Sequence, residues 1–172
     1  IGIDFNVMNC NAVVCVTAAN KLIVVDEIVK QQDTDAMARE IRRRYGNNKI
    51  FVYPDASGAA RSTINASKTD IAILESYGFV SMALRSNPPI KDRVQTLQAV
   101  LENSKGQIRM AIYAKATRLI ECLELQSYDE KTGDPDKQNG YDHLNDALGY
   151  LCYREFNMIY SRAGQKTGIR IY

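Results

Sequence analysis

Three apolar, strand-like segments fill the first 29 residues of the chain, with very short connections between them. They are residues 1–9 (IGIDFNVMN), 12–19 (AVVCVTAA) and 21–29 (KLIVVDEIV). The links are Cys10-Asn11 and Asn20. A link of one or two residues can join antiparallel neighbours, whereas a parallel crossover needs a dozen residues or more. The opening of the chain therefore predicts an antiparallel meander, and whatever follows has to build on that sheet.

Helix and strand patterns alternate after the meander. The predicted helices cover 34–45, 69–77, 90–103, 115–125 and 142–159, and the predicted strands cover 49–53, 79–84 and 108–113. The run at 49–53 (KIFVY) is almost uniformly apolar, as expected of a buried parallel strand. The polar stretch 126–141 exceeds a usual connection, which indicates a functional or mobile loop, or a small hairpin on Thr132-Gly133. The order predicts an α/β fold with a mixed sheet, three antiparallel strands followed by parallel strands, flanked by helices.

The composition narrows the class of protein. A length of 172 residues suits one domain, and the start at Ile1 within a strand leads us to expect a single domain, 1–172, cut from a longer protein. No apolar run approaches the roughly 18 residues of a membrane span, so no membrane partner is expected. The lone histidine and the lack of a CxxC pair argue against a zinc site. A net charge of +2 does not by itself indicate nucleic acid.

Carboxylates occur at unusual places in this pattern. Asp4 lies inside the first apolar run, Asp55 lies just after the run at 49–53, and Asp142 and Asp146 lie at the start of the last helix. A carboxylate in or beside a hydrophobic strand is costly unless it is paired, protonated or bound to a cation. Oxygen ligands suit Mg²⁺ and Mn²⁺, and two such ions roughly 3.5–4 Å apart can hydrolyse a phosphodiester. We therefore predict a shared site for two divalent cations.

The roles within this site follow from spacing. Asp142 and His143 lie four and three residues before Asp146, about one helical turn, so all three can face one point. We predict Asp4, Asp55, Asp146 and His143 as catalytic residues, and Asp4, Asp55, Asp146 and Asp142 as metal ligands. For Asp142, an N-cap role competes with ligation and is favoured. Asp55 can also set a turn, and His143 can be a ligand, a base or a phosphate contact.

Basic side chains complete the predicted site. Arg61, Lys68, Lys91 and Arg93 are the candidates for holding a DNA backbone. Phosphate contacts of that kind position DNA without reading its sequence. The alternative for each is an ordinary solvated surface charge.

A family resemblance rests on three segments in order: GIDFN, VYPDASG and YDHLNDALGYL. They resemble the nuclease domain of the large terminase subunit of tailed bacteriophages, in the ribonuclease H-like superfamily, whose element order the chain also matches. The resemblance implies an endonuclease that cuts concatemeric viral DNA during genome packaging with two divalent ions, Mg²⁺ or Mn²⁺. It matches Asp4, Asp55 and Asp146 to the acidic triad and His143 to a histidine near the metals in part of the family.

The same resemblance implies partners and a place of action. Double-stranded DNA is the expected substrate, and the portal, the small terminase subunit and the ATPase domain of the same full-length protein are the expected partners, in the cytoplasm of the infected bacterial host. The chain has no GxxxxGK[ST] motif, so the motor domain is expected to be absent from it. Two alternatives stay open: another ribonuclease H-like nuclease, such as a junction resolvase, and a non-catalytic DNA-binding or assembly module.

Overall fold

A six-stranded mixed sheet lies at the centre of the part of the chain that the computed structural model describes, which is residues 1–6, 8–46, 48–59 and 69–156. The strands are β1 (Gly2–Asp4), β2 (Cys10–Ala18), β3 (Lys21–Gln31), β4 (Phe51–Pro54), β5 (Val80–Ser81) and β6 (Met110–Ile112). The helices are α1 (Thr34–Tyr45), α2 (Asp70–Ser76), α3 (Ile90–Leu101), α4 (Thr117–Leu125) and α5 (Asp142–Phe156), with a short 3₁₀ turn at Ala56–Ala59. None of these helices is long and apolar enough to cross a membrane.

The strand order confirms the predicted meander and mixed sheet. The order is β5-β4-β1-β2-β3-β6. β1 pairs with β2, and β2 with β3, in antiparallel fashion, whereas β4 joins β1, β5 joins β4 and β6 joins β3 as parallel strands. Ile3 pairs with Ala12 on one side and with Pro54 on the other. The carboxyl ends of β1 and β4 are therefore neighbours. Asp4 is the last residue of β1, and Asp55 is the first residue after β4.

The first strand is shorter than predicted. It ends at Asp4 rather than at residue 9, and β2 begins at Cys10 rather than at residue 12. The chain turns between them: Met8 has a left-handed φ of 62°, and the Asn9 N–H donates to the Asn6 carbonyl at 3.1 Å. The sequence did not predict this turn because Phe5 and Met8 are apolar and continue the strand pattern.

Other boundaries also differ from the prediction. The strand predicted at 79–84 is reduced to β5, and that at 108–113 is reduced to β6. The polar stretch 126–141 contains an antiparallel bridge between Tyr128 and Pro135 around Gly133, which is the small hairpin left open by the sequence. The predicted end of the last helix at residue 159 and the last dozen residues lie outside the described part.

Two apolar clusters cover the two faces of the sheet. In β2, Val13 packs with α3, α4 and α5, whereas its neighbour Val14 packs with α1 and α2, as alternation along a strand requires. Gly2 and Asp4 share the face that α5 covers. A Cβ at Gly2 would overlap the Ala147 carbonyl, so α5 lies directly against β1 because residue 2 has no side chain. This contact brings the start of α5 to the end of β1.

Candidate active site

Asp4 and His143 meet where β1 ends and α5 begins. Asp4 is buried, with 6% of its surface exposed. Its Oδ2 lies 3.1 Å from His143 Nδ1, although the two residues are 139 positions apart in the chain. The Asn6 side-chain amide donates to the same Oδ2 at 2.8 Å and lies 3.0 Å from His143 Nδ1. Two of the predicted site residues are thus brought into direct contact by the fold.

The protonation of His143 follows from these neighbours. Its Nδ1 cannot donate to Asp4 and accept from Asn6 at once, so the proton decides which contact is made. The hydrogen bond to Asp4 raises the pKa of His143 above its ordinary value, the charge of Asp142 adds to the rise, and partial burial opposes it. The ring therefore holds its proton more firmly than a free histidine does, and the protonated Nδ1 donates to Asp4.

Asp142 is buried beside this pair, with 4% of its surface exposed. Its Oδ2 lies 4.0 Å from His143 Nδ1, and its buried Oδ1 has no hydrogen-bond partner among the described residues. That oxygen therefore caps no backbone N–H of α5. A buried carboxylate oxygen without a partner is costly, and a bound cation would remove that cost. This is the feature of the site that best fits a divalent ion.

Asp146 lies one turn further along α5 and is held by an arginine. Its Oδ1 accepts a hydrogen bond from Arg93 Nη2 at 2.6 Å. Burial raises the pKa of Asp146 from 3.8 to about 6, the charges of Asp4 and Asp142 add to the rise, and Arg93 opposes it. The carboxylates of β1 and α5 are thus close enough to repel one another, and a shared cation would relieve that repulsion.

Asp55 occupies the loop after β4. Its backbone N–H donates to the Ile3 carbonyl at 3.2 Å, which ties it to β1. Its Oδ1 accepts from the Asn87 side chain at 2.6 Å and from the Ser57 backbone N–H at 2.7 Å. The turn-setting contact considered from the sequence is therefore present, and it does not involve Oδ2.

The hydroxyl of Tyr150 is affected by the charges of all three aspartates of the predicted triad. Burial raises the pKa of its hydroxyl, and the charges of Asp55, Asp146 and Asp4 each raise it further. A single side chain of α5 thus lies in the electric field of all three carboxylates.

The described residues do not form a finished metal centre. No group of three or more His, Cys, Asp or Glu side chains within the described ranges is arranged to hold a metal ion. Asp146 contacts Arg93 and Asp55 contacts Asn87 instead of converging on one point. Carboxylate oxygens are nevertheless the donors that Mg²⁺ or Mn²⁺ takes, and Asp142 Oδ1 has no hydrogen-bond partner in the described part of the chain. The residues fit such an ion, and the two-cation site stays a prediction.

The predicted DNA contacts have different placements. Arg61 and Lys68 lie outside the described residues. Lys91 is exposed in the first turn of α3. Arg93 is buried, with 4% of its surface exposed, because it shares the inward face of α3 with Leu97 and Val100. A buried arginine bonded to Asp146 does not have the surface position that a DNA backbone contact requires.

Two site residues were missed by the sequence reasoning. Asn6 follows Asp4 by two positions, a spacing that puts both on one side of an extended segment and was a usable signal. Asn87 lies before Pro88-Pro89 and reads as an ordinary turn residue. Its bond to Asp55 depends on β4 and the start of α3 being neighbours, which no local pattern encodes.

The fold and the cluster of carboxylates at the β1–α5 junction define a ribonuclease H-like α/β domain. Residues 1–155 match the family described as the terminase RNaseH-like domain, and the chain belongs to that family. The family resemblance read from the three sequence segments is thereby confirmed. No curated protein sequence matches the chain significantly.

Solved structures of large terminases share the fold. The large terminase of a thermophilic bacteriophage superposes with a TM-score of 0.69 at 16% identity over 88% of this chain and 38% of that one. The P22 large terminase nuclease domain gives 0.63 at 16% identity over 86% and 76%. The large terminase nuclease domain of bacteriophage SPP1, with bound Mn, gives 0.58 at 18% identity over 89% and 84%. At these identities the likeness is one of fold, and the chain spans 38% of the length of the thermophilic phage protein.

Proposed function

We propose that this chain is a divalent-metal-dependent DNA endonuclease that cuts concatemeric viral DNA during genome packaging. The observation that carries the proposal is the junction of Asp4, Asp142 and His143, where one buried Asp142 oxygen has no hydrogen-bond partner among the residues that the structure describes. Membership of the terminase RNaseH-like family supports it, as does the bound Mn in the SPP1 nuclease domain. We place the chain as one nuclease domain of a longer large terminase subunit, acting with its ATPase domain, the portal and the small subunit in the host cytoplasm.

The residues proposed to hold the cations are Asp4, Asp55, Asp142 and Asp146. Magnesium or manganese ions bound there would lower the pKa of a water and neutralise charge on the scissile phosphate. The side chains contribute their geometry: Asp4 is fixed by Asn6 at 2.8 Å, and Asp146 is fixed by Arg93 at 2.6 Å. Carboxylates held in this way lose less conformational freedom when they bind a ligand.

His143 is proposed to orient Asp4 and to present positive charge to a phosphate. Its raised pKa means that more of the ring is protonated at a given pH than in an ordinary histidine, which leaves less of the unprotonated form to act as a general base. The proton on Nδ1 is engaged by Asp4, so Nε2–H remains as a donor. Of the three roles open from the sequence, phosphate contact therefore has the most support.

One observation favours the non-catalytic alternative. Asp55 and Asp146 each already accept a short hydrogen bond, from Asn87 and Arg93, as structural carboxylates do. In that reading the domain binds DNA or assembles with partners, and the acidic cluster stabilises the fold. The two functions differ in what Asp4→Asn does: it abolishes cleavage in the first and lowers stability in the second.

Plasmid cleavage tests the proposal. Supercoiled plasmid is incubated with the chain and Mn²⁺, Mg²⁺ or EDTA, using wild type, Asp4→Asn and the control Glu75→Gln, which removes an exposed carboxylate from α2 on the opposite face of the sheet. We expect nicking with either ion by wild type and the control, none in EDTA, and a loss in Asp4→Asn on the order of a hundredfold or more. Cleavage that persists in EDTA would rule out the metal-dependent reaction. A folded wild type that cuts under no condition would favour the non-catalytic module.

A further inference from the structure

Arg93 is a buried cation with three contacts on one face of α5. Its Nη2 donates to Asp146 Oδ1 at 2.6 Å, and its guanidinium carbon lies 4.5 Å from the centre of the Tyr150 ring. Gly149 lies between these two residues, and a Cβ there would come within 2.9 Å of Arg93 Cγ and 3.1 Å of Cδ. Asp146, Gly149 and Tyr150 have the i, i+3, i+4 spacing of one helix face. These three residues of α5 therefore all contact, or make room for, the Arg93 side chain of α3.

Stability is a weak explanation for this arrangement. Two charges removed from water lose hydration that their attraction only partly returns, and apolar residues of similar volume often stabilise such a place better. The inward face of α3 otherwise carries Leu97 and Val100, so a leucine or methionine at position 93 would continue the core. The arginine instead holds one carboxylate oxygen in a fixed direction with a planar, stacked group.

We propose that Arg93 is a positioning residue that fixes the Asp146 carboxylate for cation binding. The inference rests on the proposed function and deepens it. Carboxylates that bind metals are commonly oriented by hydrogen bonds from a second layer of residues, and loss of such a partner weakens metal affinity by about 10- to 100-fold. Arg93 donates to Oδ1, so Oδ2 is the Asp146 oxygen that we assign to the cation. The ring of Tyr150 and the missing side chain at Gly149 hold the guanidinium in that geometry.

Calorimetric titration with Mn²⁺ tests this role directly. The variants are Arg93→Met and a matched control, Arg42→Met, which removes another arginine that lies 4.5 Å from an aromatic ring, that of Phe79, and that donates to backbone carbonyls on the opposite side of the sheet. We expect Arg93→Met to bind Mn²⁺ about 10- to 100-fold more weakly than wild type. Arg42→Met should keep wild-type Mn²⁺ affinity even where its melting temperature falls.

A third variant moves Arg93 without removing its charge. In Gly149→Ala the new methyl group displaces the arginine stem, while alanine itself favours the helix. We expect weaker Mn²⁺ binding without a loss of helix content by circular dichroism. If Arg93→Met fails to fold, Gly149→Ala and Arg93→Lys decide the question, since both keep a positive charge and change only its geometry.

The outcomes separate this inference from the proposed function. Mn²⁺ affinity equal to wild type in folded Arg93→Met, or in the two charge-retaining variants, would overturn the positioning role. Tighter Mn²⁺ binding in Arg93→Met would also overturn it, because Arg93 would then compete with the cation for Asp146. Wild-type protein that binds no Mn²⁺ and cuts no plasmid would refute the proposed function, and this inference with it.

Discussion

Single residues at the β1–α5 junction bind protons more firmly in the native state than in the unfolded chain. Burial and neighbouring carboxylates raise the pKa of Asp146 from 3.8 to about 6, and the bond to Asp4 raises the pKa of His143. Both shifts act in one direction: stability is greatest at low pH within each titration range and falls as pH rises. For Asp146 the range is about pH 4 to 6, and for His143 it starts near pH 6.5 and extends upward.

Asp146→Asn should remove the first of these effects. As pH rises from about 4 to 6, the free energy of unfolding of wild type should fall relative to that of the variant, by up to about 1.4 kcal/mol per pH unit. Above that range the difference between the two proteins should stay constant. Asparagine can still accept from Arg93, so the arginine keeps a partner. The measurement is urea unfolding in EDTA at several pH values.

Glu75→Gln, which alters an exposed carboxylate on α2, serves as the control and should follow wild type across the range. If the difference between Asp146→Asn and wild type did not vary between about pH 4 and 6, the carboxylate would be ionised normally in the native state. Neither burial nor the neighbouring carboxylates would then act on Asp146 as inferred, and the argument from charge repulsion for a cation would lose its support.

Between elements, the site depends on how closely α5 approaches β1. His143 reaches Asp4 only because no side chain stands between Gly2 and the Ala147 carbonyl. The same helix carries Asp142 at its first turn and Asp146 at its second, so its position relative to the sheet sets three site residues together. A small displacement of α5 therefore changes the whole site, whereas a change at one ligand affects that ligand alone.

Gly2→Ala tests this dependence. The methyl group would overlap the Ala147 carbonyl, so α5 must move away from β1. We expect a loss of stability of roughly 1–3 kcal/mol, as for other overpacked sites, and a fall in plasmid cleavage of about tenfold or more beyond any unfolded fraction. Thermal unfolding and cleavage rates measured on the same preparations give both numbers.

Gly133→Ala is a suitable comparison for that variant. It introduces the same methyl group into open space in the 126–141 hairpin, where the left-handed φ of 70° costs about 1 kcal/mol without crowding. Its cleavage should stay near wild type at a similar loss of stability. Equal cleavage in the two alanine variants would show that the β1–α5 distance does not govern the site.

The elements were predictable from local signals to different degrees. The meander was predicted from short links, although β1 and β2 are joined between Asp4 and Cys10 rather than at Cys10-Asn11, and β4 was predicted from an apolar run. The pairing of β1 with β4, which places Asp4 and Asp55 at neighbouring strand ends, came from the structure. The inward face of α3 carries Arg93 together with Leu97 and Val100, whereas the apolar Val94 and Leu101 are only half-buried. An arginine is read as a surface residue unless its partner is known, and Asp146 is 53 positions away.

Over the whole molecule, the basic residues differ in whether their charge is already paired, which a net charge of +2 does not show. On α1, Arg43 and Arg44 are bonded to Glu40, and Arg42 is bonded to backbone carbonyls, so that cluster has little free charge. The start of α3 differs. Asn87 contacts Asp55 and Arg93 contacts Asp146, so this segment borders the site on both sides, with the exposed Lys91 between them in the chain. DNA that reaches the aspartates should therefore pass close to Lys91.

Charge reversal at Lys91 should weaken cleavage without changing metal affinity. Reversal at Arg93 would not test DNA contact, because that residue is buried and bonded to Asp146. Loss of one phosphate contact should lower the slope of log affinity against log salt by about 0.9, so Lys91→Glu should bind and cut DNA less at low salt and approach wild type at high salt. Fluorescence anisotropy and plasmid cleavage across a salt series give the slope, and Mn²⁺ titration should be unchanged.

Lys21→Glu is the matched control, because this exposed lysine starts β3 at the far end of the meander. It pairs with Ala18, whereas Asp4 pairs with Asn11, so roughly 20 Å of β2 separates it from the site. Both substitutions change the net charge equally, and any difference between them reports position. If Lys91→Glu matched Lys21→Glu at every salt concentration, the DNA would not pass along α3, and its path would lie along the 126–141 hairpin, whose Lys137 is near enough to lower the pKa of Asp146.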